Sequence, residues 1–214
     1  MATLTRYPDE NPESTSVDGR TYKNDNAVWA TTHDAADSNG ADDSGAGPST
    51  SVGTGLQAGN YYIMRGFWLF DTSALGSGAT VTAATFNLYV DTTENNDNDG
   101  DDWVNVVQSS PASNTAITTA DYDQCGAVSN PTEGSTRKDI STDITTTAYN
   151  IWTLNATGLT WVSKTGITKL GLREGHDAIN SAYAGANNTW DVLNSYFAEE
   201  AGTSELLNVS RFPP

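Results

Sequence analysis

The 214-residue chain carries 27 acidic side chains against 10 basic ones, a formal net charge of −17 at pH 7. A field of that sign repels phosphate, which excludes nucleic acid and anionic membrane surfaces as partners. Hydrophobic residues make up only 36%, yet six Trp, nine Tyr and five Phe are present, enough aromatic area to fold around the thin core that packed sheets enclose.

Residues 1–14 are polar, contain Pro8 and Pro12, and predict a docking arm in which Leu4 and Tyr7 supply the apolar contacts. They lack a basic stretch followed by an apolar one, so no signal peptide is expected there. Residues 15–214 are expected to form one domain. The run from Ala27 to Val52 is rich in Asp, Ser, Gly and Ala and predicts a long loop. Tyr61 to Asp71 is dense in aromatic and β-prone residues and predicts a buried strand. From Val81 to Val90, Ala84, Phe86, Leu88 and Val90 alternate with polar neighbours, the period of a half-buried strand. The acidic run 91–102 reads as a loop, and Trp103 to Gln108 as a short strand. Further strands are predicted at 139–144, 149–154, 167–174, 196–199 and 206–212, with one short helix near 157–164 closed by Gly166. Many short strands, long polar loops and at most one short helix predict an all-β jelly-roll β-sandwich. Phe67 or Trp68, Phe70, Phe86, Leu88, Trp152, Leu170 and Leu172 are the expected core.

The segment Arg65-Gly66-Phe67-Trp68-Leu69-Phe70-Asp71-Thr72-Ser73-Ala74-Leu75, then Gly78-Ala79-Thr80-Val81 and Ala84-Thr85-Phe86-Asn87-Leu88-Tyr89, resembles the DNRLRE-type domains, relatives of a carbohydrate-binding module family. Lys169 to Arg173 fits their last hairpin, and Thr118 to Asp123 is similar to members in phage virion-type proteins. The resemblance spans about residues 15–212 and implies a jelly roll attached to virion, cell-surface or carbohydrate-active proteins.

Several residue groups invite a chemical reading. Asn95, Asp97, Asp99 and Asp101 alternate ahead of and around Gly100, like the front half of a calcium loop, but the twelfth position is Val106 instead of a bidentate Glu. Calcium is therefore a weak candidate, and no tight metal site or cofactor is expected. Glu174, His176 and Asp177 lie close together, but no nucleophile or metalloprotease motif accompanies them. They read as a capped turn, and the chain as a non-enzyme with no catalytic residues. Arg65 and Arg173 lie in apolar runs and need partners; Asp71 or Glu174 are the nearest carboxylates in sequence. Trp29, Trp103 and Trp190 flank polar loops and are candidates for stacking on sugar rings or anchoring an interface. Cys125, the single cysteine, reads as a free thiol.

Two functions fit these features. The first is a non-enzymatic structural protein of a virion, as a capsid decoration, head-fibre or tail-associated subunit. It would be homo-oligomeric, sit on the virion surface and be held by other virion proteins. The second is an extracellular carbohydrate-binding module or adhesin that binds polysaccharide.

Overall fold

The computed structural model describes residues 2–44, 50–200, 202 and 204–212. Among them are twelve strands: β1 (Ala2–Arg6), β2 (Asp18–Asn26), β3 (Gly40–Asp42), β4 (Thr50–Gln57), β5 (Asn60–Asp71), β6 (Thr80–Glu94), β7 (Trp103–Gln108), β8 (Lys138–Asp139), β9 (Ala148–Thr153), β10 (Ile167–Glu174), β11 (Thr189–Ser195) and β12 (Leu206–Phe212). Three one-turn helices, α1 (Trp29–His33), α2 (Ala156–Thr160) and α3 (Gly175–Ile179), and two 3-10 turns complete the elements. The fold is all-β and jelly-roll-like, with 45% strand and 12% helix.

Every strand pairing is antiparallel, and the order β1-β12-β6-β11-β4-β5-β10-β7-β8 curls one sheet around its own core. Two long strands turn the sheet. β5 pairs with β4 along Asn60–Met64 and with β10 along Gly66–Asp71, while β2 pairs with it along Tyr61–Trp68. β6 is divided likewise: β12 pairs with Thr80–Asn87, β11 with Val90–Glu94, and β9 with Thr85–Val90. A strand that changes neighbours partway along lets the sheet split into two packed layers.

The main core lies between those layers and contains Trp68, Phe70, Phe86, Leu88, Trp152, Leu170 and Leu172, as expected from their alternation. Phe86 is its centre, with ring centroids 5.3 Å from Trp68 and 6.0 Å from both Phe70 and Trp152. Phe67 and Leu69 point to the other face of β5 and pack with Val17, Val107, Ile117 and Cys125 in a smaller cluster. The two sides of β5 are both covered, which is why its sequence is apolar without alternation.

Four expectations are corrected. Residues 2–6 do not form an arm outside the domain: they pair with β12 from Ala2↔Arg211 to Arg6↔Leu207, and Leu4 packs against the main core. Three short helices occur where one was expected; the expected one, α2, is five residues long and capped by Asn155, whose side chain accepts from Thr157 N and Gly158 N. Residues 27–52 contain α1, β3 and the start of β4 instead of a continuous loop. The strand expected at 196–199 lies earlier, as β11, and at 139–144 only Asp139 belongs to a strand.

Candidate functional site

A trough crosses the sheet where β6, β11, β4 and β5 lie side by side. Its volume is about 250 Å³, and Ser51, Gln57, Tyr62, Met64, Glu94, Trp190, Val192 and Asn194 line it. The sequence of β4 explains the depression. Gly53 stands between Val192 and Met64, and Gly55 between Trp190 and Tyr62, as cross-strand partners. A Cβ on Gly55 would lie 2.3 Å from Trp190 Cδ1, so the indole rests directly over that glycine. Glycine on the middle strand thus makes a floor, and bulky residues two strands apart, roughly 10 Å, make the walls.

The walls are fixed by neighbours. Tyr62 stacks on Tyr22 at 5.9 Å between centroids, and the Arg20 guanidinium lies 5.6 Å from the Tyr22 ring centroid. At one end, Arg20 Nη1 donates to Ser51 Oγ at 2.7 Å, Ser51 Oγ to Asn194 Oδ1 at 2.6 Å, and Asn194 Nδ2 to Thr92 Oγ1 at 3.1 Å. At the other end, Asn96 Nδ2 donates to Trp190 O at 2.7 Å, tying the loop after β6 to the Trp190 backbone.

That loop carries a second constellation. His176, buried on α3, has Nδ1 2.8 Å from Glu174 Oε1 and Nε2 3.2 Å from Asp97 Oδ2 and 3.5 Å from Asp99 Oδ2. Asp191, buried on β11, accepts from Asn96 N at 2.6 Å, and its other oxygen lies 4.0 Å from His176 Nδ1. Burial opposes the charged imidazole, but the Glu174 hydrogen bond and the charges of Glu174, Asp97 and Asp99 outweigh it and hold His176 at about 9. Burial, with the adjoining Asp97 carboxyl, pushes Asp191 up to about 8.

Beneath both lies a buried ionic frame. Arg65 Nη2 donates to Asp177 Oδ1 at 2.7 Å and its Nε to Asp177 Oδ2 at 3.0 Å, and Arg173 Nε donates to that same Oδ2. The two guanidinium groups then donate to the carbonyls of His33, Tyr122, Cys125, Ala127, Val128 and Asp177 itself. Arg65 also lies over the Tyr122 ring at 3.9 Å. The frame therefore pins α1 and the long connection after β7 to the sheet. Burial opposes ionisation of Asp177, but Arg173 and Arg65 prevail and hold its carboxyl at about 2. The expected partners of the two arginines, Asp71 and Glu174, are replaced by Asp177, four residues beyond Arg173 on α3.

Trp190 lines the trough. Trp103 is 6% exposed, with the Arg137 guanidinium 3.6 Å from its ring centroid, so it is no open stacking surface. Trp29 is half-buried, stacks on His33 and donates Nε1 to Asn180 Oδ1 at 2.8 Å. Tyr7 is exposed. Of the calcium-like residues, Asp97 and Asp99 turn together toward His176. Asn95 donates to Asp102 and Ser141, and Asp101 N donates to Asp99 Oδ1, so the four do not converge as a calcium loop would require. Glu174 caps α3 as expected of a capped turn, accepting from His176 N at 3.0 Å. Burial pushes the Cys125 thiol up to about 12. Sequence reasoning missed Tyr62 and Asp191, and placed Asp177 in the capped turn without making it the partner of Arg65 and Arg173. The Gly-x-Gly in β4 opposite a Trp was the available signal for the trough.

A larger hollow of about 540 Å³ beside α2 is lined by Gln108, Ser109, Ser110, Gly126 and Trp161 among others, with no charged side chain among the described residues. No protein-family model matches the chain, and no curated protein matches it.

Proposed function

We propose that the chain is a non-enzymatic surface module that binds a glycan in the trough over β4. The carrying observation is the pair of aromatic walls, Trp190 and Tyr62, on either side of Gly55. Aromatic faces suit the apolar faces of a pyranose ring, and Gln57, Glu94, Asn194 and Ser51 offer hydroxyl partners along the same opening. The volume is that of one or two sugar rings, so recognition within a polymer is the natural use. The resemblance to carbohydrate-binding-module-like jelly rolls of virion and cell-surface proteins supports the same reading. Affinity electrophoresis against a panel of neutral and uronic polysaccharides tests it. Retardation by at least one polymer, lost in both Trp190→Ala and Tyr62→Ala, is the expected result. No retardation by any polymer, or retardation that survives both substitutions, overturns it.

A second reading, a structural subunit of a virion, has its own observation. β9 pairs with β6 along one edge, and its outward residues Tyr149 and Ile151 are 40% and 53% exposed. Tyr149 stands edge-on to Tyr89, which in turn meets Tyr196. An apolar residue on a free strand edge is a template for a neighbouring copy. On this reading the protein self-associates in sedimentation experiments, and Ile151→Asp returns it to monomer. A monomer at all concentrations counts against it.

A further inference from the structure

Among the described residues, three buried polar atoms near the loop after β6 lack hydrogen-bond partners: His176 Nε2, Asp97 Oδ1 and Asp191 Oδ2. Leaving such atoms unsatisfied is costly, and three in one place call for a common partner. They belong to one cluster. A ring nitrogen of His176 and carboxylate oxygens of Asp97 and Asp99 all lie within 4.8 Å of one another. The Asp191 carboxyl adjoins that of Asp97. Among the described residues, no Lys or Arg forms an ion pair with any of these carboxylates; the only cationic group near them is His176 itself.

We propose that Asp97, Asp99 and His176, with Asp191 beside them, bind a first-row divalent metal ion of the zinc type. Ligand atoms about 2.0–2.2 Å from such an ion sit roughly 3.4 Å apart in a tetrahedral shell. His176 Nε2 lies 3.2 Å from Asp97 Oδ2 and 3.5 Å from Asp99 Oδ2, the edges of such a shell. The surroundings are those of a ligating histidine. Nδ1 faces the Glu174 carboxylate at 2.8 Å, and when it donates there Nε2 presents its lone pair to the site. The carboxylates are held in turn: Asp97 Oδ2 accepts from Ala184 N at 3.2 Å, Asp99 Oδ1 from Asp101 N at 2.9 Å, and Asp191 Oδ1 from Asn96 N. Asp99 is 40% exposed and provides the way in. An imidazole among the donors selects zinc-like ions over calcium, whose shell is all oxygen. The competing arrangement is metal-free, with a doubly protonated His176 bridging Glu174 and the two aspartates.

Calorimetric titration of the full chain with zinc after chelator treatment separates the two. One equivalent should bind and raise the melting temperature, and calcium at the same concentration should do neither. Asp99→Asn, at the exposed side of the cluster, should weaken zinc binding at least about tenfold while leaving the circular dichroism spectrum unchanged. Asp101→Asn, in the same loop but outside the cluster, should bind as the parent does. No zinc binding up to millimolar concentration overturns the proposal. So does binding that Asp99→Asn leaves intact, which would place the ion elsewhere. These readouts involve no polysaccharide, so they stand or fall separately from the glycan reading.

Discussion

Asp177 sits between two buried guanidinium groups, and six backbone carbonyls share the positive charge that one carboxylate leaves over. Removing it would strand both arginines without their counter-ion. Asp177→Ala should therefore destabilise by about 3–5 kcal/mol, seen as an earlier urea midpoint, and loosen α1 and the 109–137 connection together. Phe86→Ala should cost a similar ~3–5 kcal/mol through lost burial and the cavity left among three aromatic neighbours. Glu205 is the opposite case. It is fully buried, neither carboxylate oxygen has a hydrogen-bond partner among the described residues, and burial with repulsion from Asp18 and Glu199 pushes its pKa up. A carboxyl raised in the folded state stabilises below its unfolded value near 4.5, and that contribution is lost as pH rises through the folded pKa. Glu205→Gln in chelator-treated protein should thus raise the melting temperature at pH 8, by roughly 2–4 °C per kcal/mol, and change little at pH 4. An equal shift at both pH values would show that the carboxyl titrates normally.

At the scale of elements, β1 covers the edge of β12, and its deletion should lower the melting temperature and promote self-association through the uncovered strand. Gly55→Ala places a methyl group against Trp190 Cδ1 and Thr189 O; it should cost about 1–3 kcal/mol and abolish trough binding. Which elements could be read from the sequence follows from what each strand faces. β5, β6, β7, β10 and β12 bury apolar side chains against the core, so their composition or alternation announces them. β2 spends its length on polar residues between β3 and β5, and β4 alternates small residues with Val52 and Thr54, so neither carries an apolar pattern. β11 places Asp191 on the inward side next to Leu193, and that buried charge disguises its period. The same holds for the sites. Trp190 stood out beside its loop, and Asp97 and Asp99 by their spacing. The partners of each, Tyr62 across two strands and His176 from α3, come together only through the curl of the sheet.

For the whole molecule, a net charge of −17 on 214 residues sets self-repulsion against packing. Moderate salt should screen it and raise the melting temperature, while the buried Arg65–Asp177–Arg173 frame, shielded from ions, should keep its contribution. The same repulsion opposes close approach of copies at β9, so the self-association expected of Ile151 should strengthen with ionic strength.

The pairing of β1 with β12 has a mechanical side. Ala2 stands opposite Arg211, so the two ends of the chain leave the sheet next to each other. Tension applied between them would open that pair one hydrogen bond at a time, as a zipper opens, because the load falls on the outermost bond and passes to the next only when it yields. Strands pulled from opposite ends would instead share the load across all their bonds at once. Held by both ends, this domain would give way first at β1, while the trough, on β4 and β11, would keep its shape.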